Sequence, residues 1–221
     1  GINSIKMRRI LIVLFSTLFS IASYAQSEDF NKVFDACKLA QSSMSFGTGS
    51  QNEIEEAATS LTTLRWAPLI LQEVDIKNEA SIKNHLVFSP EFLSDVAKER
   101  SVYKRAKKYA DEQVSSQRGG DVKLCTKCIK GEGKVVYAIR HRGGYFNIAA
   151  VAEVNGLINL SVIVKDEKGN ESKPYKINSE EFKGARFRKI EMIPIPKGNS
   201  KVYITIENKC KEDKSVAIIV E

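Results

Sequence analysis

The chain has 221 residues and a formal net charge of +7, a length that suits one large domain or two small ones. Residues 26–118 contain 12 Lys and Arg against 14 Asp and Glu, whereas residues 119–221 contain 19 against 13. This asymmetry indicates two units with different surfaces. The basic half favours acidic polysaccharide, lipid headgroups or an acidic protein as a partner. A Lys-rich solubilising surface is the favoured explanation, since net charge says little about specific partners.

The first 25 residues have the pattern of a signal peptide. Residues 7–9 form a basic start, residues 10–22 a thirteen-residue apolar run, and residues 23–25 a small-residue cleavage site. The run is shorter than the roughly 20 residues that a membrane-spanning helix needs. The sequence therefore predicts an exported protein, periplasmic or at the cell surface, with no transmembrane anchor after cleavage. Nucleic acid is not expected as a partner in that compartment.

Residues 26–118 are predicted to form a mainly helical domain. Helical spacing of apolar residues predicts helices over 28–44, 51–65 and 90–116. Segments 64–74 and 85–89 are rich in β-branched and aromatic residues and predict a short hairpin packed on the helices. The apolar positions of the first helix are Phe30, Val33, Phe34, Cys37 and Ala40.

The rest of the chain reads as an antiparallel β-sandwich. Short apolar or alternating segments are separated by turn residues roughly every ten positions, which is typical of sandwiches. We predict a junction over 119–133 and a sandwich domain over 134–221, which gives an α+β fold class with a jelly-roll-like C-terminal unit. The predicted strands are 135–142, 145–153, 157–164, 174–178, 187–193, 201–207 and 215–221.

Cys125 and Cys128, two of four cysteines, form the most reactive-looking motif. A zinc site needs four ligands, and Cys37 and Cys210 stand alone and far away. A thioredoxin-like centre needs a helix and a βαβ pattern that this stretch lacks. A structural role is favoured instead. The four cysteines of an exported chain could form two disulfides in any of three connectivities, or remain reduced and buried as small apolar side chains.

Catalytic signatures are weak. The two histidines, His85 and His141, are not part of a recognisable nucleophile motif, and no G-x-S-x-G elbow occurs. We therefore predict no catalytic residue, no metal and no cofactor.

The segments "GLINLSVIVKDEKGN" and "FRKIEMIPIPKGNSKVYITIENKCKEDKSVAIIV" are similar to the jelly-roll domains of the pre-peptidase C-terminal type. With "HLVFSPEFLSDV" included, the chain also resembles uncharacterised exported proteins of gut Bacteroidetes. The resemblance implies an accessory domain associated with ligand binding, adhesion or secretion, and it carries over no catalytic residues.

The leading hypothesis is a non-enzymatic binding protein whose sandwich recognises a polysaccharide or a cell-envelope protein. Aromatic side chains would stack on sugars and arginines would contact anions. The alternatives are a small hydrolase or a thiol oxidoreductase that uses Cys125 and Cys128, and a structural envelope protein that self-associates. The candidate ligand-binding residues are Tyr137, Tyr145, Phe146, Tyr175, Tyr203, Arg140, Arg142, Arg186 and Arg188.

Overall fold

The computed structural model describes residues 28–42, 66–75, 121–177 and 184–221, together with the single residues 56, 64 and 104. Helix α1 covers residues 28–42, and ten strands follow within the described residues. They are β1 (Ala67–Pro68), β2 (Gln72–Asp75), β3 (Lys123–Ile129), β4 (Lys134–His141), β5 (Gly144–Ala152), β6 (Ile158–Lys165), β7 (Tyr175–Lys176), β8 (Phe187–Ile195), β9 (Ser200–Asn208) and β10 (Lys214–Val220).

The strands form two five-stranded sheets. The first sheet has the order β1-β3-β10-β5-β8 and the second has the order β2-β4-β9-β6-β7. Every pairing is antiparallel except that of β1 with β3. From β3 onward the chain crosses from one sheet to the other at almost every connection, so strands adjacent in a sheet are distant in sequence.

The core lies between the two sheets. In β6 and β9, buried apolar residues alternate with more exposed residues, as expected for strands with one face in the core and one toward solvent. Burial of each such Val or Ile contributes roughly 1.5–3 kcal/mol. From these two strands the core takes Ile158, Leu160, Val162, Val164, Val202, Ile204 and Ile206.

Helix α1 packs on the outer face of the first sheet. Phe34 meets Phe187 of β8 edge to face at 5.8 Å, and Gln41 Nε2 donates a hydrogen bond to the Val151 carbonyl of β5 at 3.1 Å. Strands β5 and β10 are therefore buried on both faces. This explains why "IAAVA" and "VAIIV" are continuous apolar runs and do not alternate.

The sandwich prediction and the first predicted helix are confirmed, and all seven predicted strands are present. One expectation needs correction. Residues 123–129 of the predicted junction form β3, a strand paired along its whole length with β10. Strands β1 and β2, in segment 64–74 of the predicted hairpin, pair with β3 and β4. The other segment, 85–89, lies outside the described residues, so the hairpin stays a prediction.

The predicted leader (1–25), most of helix 51–65, most of helix 90–116 and the segment 85–89 lie outside the described residues. In the part of the chain that the structure describes, no helix combines the length and the hydropathy needed to cross a bilayer.

Candidate binding face

The two sheets differ in what covers their outer faces. Helix α1 covers the first sheet, whereas no described element packs on the outer face of the second sheet. We call the latter the open face. It consists of the outward residues Lys134, Val136, Ala138, Arg140, Asn159, Ser161, Ile163, Lys165, Lys176, Lys201, Tyr203, Thr205 and Glu207.

The strand register arranges these residues in rows across β4, β9 and β6. The central row contains Ala138, Tyr203 and Ile163, which are direct cross-strand partners. Tyr203 and Ile163 are half-buried. Ala138 is buried, so the accessible part of the row is the pair Tyr203 and Ile163, whose strands lie about 4.8 Å apart.

The row next to it is cationic. Arg140 pairs with Lys201, and Lys201 pairs with Lys165. We call these three residues the basic row. Lys165 Nζ lies 3.5 Å from a carboxylate oxygen of Glu171, whereas Arg140 and Lys201 have no ion pair with any described acid.

The row at the opposite end of the open face contains Lys134, Glu207 and Asn159, and we call it the far row. Glu207 also forms an ion pair with Lys209 at 3.0 Å. The hydrogen bond from Lys209 is the main cause of the lowered pKa of the Glu207 carboxyl, and the charge of Lys134 lowers it further. Acid and base are therefore interleaved here, unlike in the basic row.

The five candidate aromatic residues do not form a cluster. Tyr137 and Phe146 are 0% and 1% exposed and belong to the core, so they cannot contact a ligand in the folded protein. Tyr175 packs partly against the core from β7. Tyr145 is 61% exposed at the start of β5 in the first sheet. Only Tyr203 of the five lies on the open face.

The four candidate arginines are also dispersed. Arg140 is exposed in the basic row and Arg142 is exposed just after β4. Arg186 Nη2 donates a hydrogen bond to the Lys38 carbonyl at 2.8 Å, so it fastens α1 to the sandwich. Arg188 lies on β8 opposite Ala150 of the core and is half-buried. One arginine of the four therefore belongs to the open face.

Of the two structural roles left open for the cysteines, the structure supports the reduced one. No disulfide joins any of the four, all of which lie among the described residues. Cys125 contributes to the core, and Cys128, three residues later in the same strand, points to the opposite face. Their Cα atoms are about 10 Å apart along the strand, too far for a disulfide. The same separation removes the geometry that a dithiol redox centre needs.

The other two cysteines lie elsewhere. Cys37 lies on the buried face of α1, and burial raises the pKa of its thiol. Cys210 Sγ lies in the β9–β10 turn, where it accepts a hydrogen bond from Leu157 N at 3.1 Å and donates one to Asn155 O at 3.3 Å. The expected disulfides are thus not supported, and the option of buried, reduced thiols describes Cys37, Cys125 and Cys128.

His141 lies at the end of β4 and contacts Phe146 edge to face at 5.8 Å. Burial lowers the pKa of its imidazole, and the positive charge of Lys123 lowers it further. The described residues contain no group of three or more His, Cys, Asp or Glu side chains placed to hold a metal ion.

Sequence reasoning missed Lys165, Lys201 and Ile163 as members of the candidate face. The alternation in β9 does indicate that Tyr203 and Thr205 point away from the core. The register that places Lys201 between Arg140 and Lys165 has no local signal in the sequence.

No protein-family model and no curated protein matches the sequence. Among solved structures, the chain is similar to a mitogen from Yersinia pseudotuberculosis, with 19% identity, 45% of this chain and 83% of the mitogen covered, and a TM-score of 0.30. It is similar to the carbohydrate-binding module TmCBM61, solved with β-1,4-galactotriose, with 13% identity, coverages of 46% and 81%, and a TM-score of 0.27.

A pre-peptidase C-terminal domain of a collagenase from Bacillus anthracis, the type of domain expected from the sequence, is also among the similar structures. The identity is 14%, the coverages are 44% of this chain and 87% of that domain, and the TM-score is 0.29. Similarities this distant carry no argument about ligand or activity.

Proposed function

We propose that this chain is an exported, non-enzymatic binding module that holds an extended carbohydrate chain along the open face of a jelly-roll sandwich. The observation that carries the proposal is the central row, in which Tyr203 and Ile163 lie side by side on a sheet face that no described element covers. Sugars present apolar faces that stack on aromatic rings of this kind, while the hydroxyl of a tyrosine serves the polar edge.

The arrangement of the sandwich supports this use of the second sheet. Helix α1 buries the outer face of the first sheet and is held there by hydrogen bonds from Arg186 and Gln41. The second sheet keeps a rigid, regularly paired surface over β4, β9 and β6. A long, regular row on such a surface suits a polymer better than it suits a compact small molecule, which would need a concave pocket.

The alternative of self-association through a sheet edge is less well supported. Strand β8 forms one edge of the first sheet. However, Met192 has a positive φ of 59°, and the pairing of β8 with β5 shifts register between Phe146 and Ile148. Such irregularities, together with the exposed or half-buried charges of Lys189 and Glu191, hinder pairing with a second chain.

A binding screen of the purified chain against neutral and acidic polysaccharides tests the proposal. The decisive variant is Tyr203→Ala, and the matched control is Tyr145→Ala, which removes an exposed tyrosine from the other sheet. Loss of one stacking contact should weaken binding by up to roughly tenfold, and the control should bind like the unmodified protein. Absence of binding to every polysaccharide by folded protein, or equal losses in the two variants, would contradict the proposal.

Export is part of the same proposal. Expression of the chain with residues 1–25 in place, followed by intact mass measurement of the protein recovered outside the cytoplasm, tests it. Cleavage after Ala25 is expected. Recovery of the uncleaved chain in the cytoplasm alone would count against export and would leave the binding proposal to its own test.

A further inference from the structure

We infer that the polymer bound by the open face is anionic, an acidic polysaccharide whose carboxylate or sulfate groups lie against the basic row. This inference rests on the proposed function. It adds the class of ligand and the residues that select it: Arg140, Lys201 and Lys165.

The first support is the placement of the three cations. They are direct cross-strand partners on β4, β9 and β6, so their attachment points are about 4.8 Å apart. Glu171 is the one described acid within ion-pair distance of the row, and it reaches Lys165 at 3.5 Å. Two of the three positive charges thus have no acidic counterpart among the described residues.

The second support is that this arrangement costs stability. Like charges placed directly opposite each other on neighbouring strands are destabilising. Lys201 is in the centre of the row and has a cation on each side. An anionic ligand would relieve both repulsions at once. Ligand binding therefore explains why the three cations are neighbours, whereas the stability of the fold does not.

The third support is that the row at the opposite end of the open face contains an acid beside its cation. At the far row, Glu207 lies between Lys134 and Asn159 in the register and pairs with Lys209 at 3.0 Å. Among the described rows of the open face, the basic row is the one in which three cations are direct cross-strand neighbours.

The rows also indicate how the polymer lies. The basic row is two residues along each strand from the central row, a distance of about 7 Å. A chain that runs across the strands and stacks on Tyr203 would therefore direct acidic substituents toward Arg140 and Lys201. Their long side chains can bridge this distance because the aliphatic stems lie along the surface while the charged groups reach outward.

The test compares two polymers with the same sugar backbone, polygalacturonate, which is anionic, and its fully methyl-esterified form, which is neutral. Binding of each to the purified chain is measured by isothermal titration calorimetry at low and at high salt. The decisive variant is Arg140→Gln/Lys201→Gln. The matched control is Lys130→Gln/Lys211→Gln, which removes the same net charge from two exposed turn residues outside the open face.

We expect the unmodified chain to prefer polygalacturonate and to lose affinity with salt, because the contacts are exposed to screening. The decisive variant should bind polygalacturonate roughly tenfold or more weakly, whereas the control should change affinity by about twofold or less. In the absence of polymer, the decisive variant should have a higher melting temperature than the unmodified chain, because a like-charge repulsion is removed.

The other outcomes overturn the inference in distinguishable ways. Equal binding of both polymers, or equal losses in the two double variants, would overturn the anion specificity and leave the proposed function standing. No binding of any polysaccharide by the folded chain would overturn the proposed function and the inference with it. Binding to phosphatidylserine vesicles without binding to polygalacturonate would assign the row to lipid headgroups and overturn the polymer. A lower melting temperature in the decisive variant would contradict the repulsion argument.

Discussion

Asn208, at the end of β9, joins the two turns at one end of the sandwich. Its side chain is 1% exposed. The Nδ2 atom donates to the carbonyl oxygens of Ile129, Lys130 and Glu212 at 3.1, 3.1 and 2.8 Å. The Oδ1 atom accepts a hydrogen bond from Cys210 N at 2.9 Å. One amide therefore connects the β3–β4 turn to the β9–β10 turn.

The variant Asn208→Asp changes this site with almost no change in volume. It places an oxygen where the donating Nδ2 was, so three carbonyl oxygens lose this donor and face an acceptor, although the Lys130 carbonyl keeps the bond from Gly133 N. The bond from Cys210 N is kept. The two N–H donors of the amide are lost, and each lost hydrogen bond lowers the free energy of unfolding by about 1 kcal/mol. Buried carbonyl oxygens left unsatisfied lower it by about 1–3 kcal/mol more. The free energy of unfolding should fall by about 3–5 kcal/mol at neutral pH, a large part of the 5–15 kcal/mol typical of a domain.

Urea denaturation at neutral and acidic pH measures this change. The urea midpoint should fall by about 2 M for an m value near 2 kcal/mol/M. Burial raises the pKa of the introduced carboxyl above its unfolded value, so the lost stability is partly regained as pH falls and an O–H donor reappears. Asn199→Asp, in an exposed turn, is the control. A loss no larger than in this control, or a loss that is the same at both pH values, would refute the reasoning.

Three further predictions concern stability. Phe34→Ala should lower the free energy of unfolding by about 3 kcal/mol in urea titrations, because the ring is 6% exposed; a loss under about 1 kcal/mol would contradict the docking of α1. Gly131→Ala should be more damaging in thermal unfolding than Gly144→Ala. At Gly131 a Cβ would overlap the Lys211 carbonyl oxygen, whereas at Gly144 it meets open space and suffers only from the positive φ of 97°. Because burial lowers the pKa of His141, stability should decline as pH falls below about 6.5, and His141→Gln should flatten that decline; an unchanged pH profile would refute it.

The fold was largely predictable because its strands carry local signals. Strands β6 and β9 alternate, and the turns between strands are rich in Gly, Asn, Lys and acidic residues. Helix α1 was predictable from the spacing of Phe30, Val33 and Cys37. The continuous apolar runs of β5 and β10 contain a further signal, since a strand buried on one face alone would alternate. They indicate that something covers the first sheet.

Strand β3 was misassigned for a specific reason. Residues 119–133 were predicted as a junction that contains Gly119-Gly120 and the Cys125–Cys128 motif, although Leu124, Cys125, Thr126, Cys128 and Ile129 are all buried. A strand that is buried on both faces is usually a continuous apolar run. In β3, Lys123 and Lys127 interrupt this run, so the strand was not recognised. The pairing of β1 and β2 with β3 and β4 could not be foreseen either, because long-range pairing leaves no periodicity in the sequence.

The candidate face was less predictable than the fold. Aromatic residues were identified by type, yet strand phase decides whether an aromatic is in the core, as Tyr137 is, or on the open face, as Tyr203 is. The basic row depends on the register of three strands that are distant in the chain. Residue type and local periodicity contain no information about which lysine becomes the neighbour of Arg140.

Lys201→Glu distinguishes the effect of the basic row on the stability of the fold from its effect on ligand binding. With an acid at the centre of the row, Arg140 and Lys165 would each have an opposite charge as cross-strand neighbour, at roughly 0.2–1 kcal/mol per pair. The free energy of unfolding should therefore rise by about 1 kcal/mol, while binding of polygalacturonate is lost. Thr205→Glu on the same strand, whose cross-strand neighbours are uncharged, should leave stability nearly unchanged. If Lys201→Glu lowered stability, or left binding intact, the row would be a structural feature of the sheet, and the argument that its repulsion is retained for an anionic ligand would be refuted.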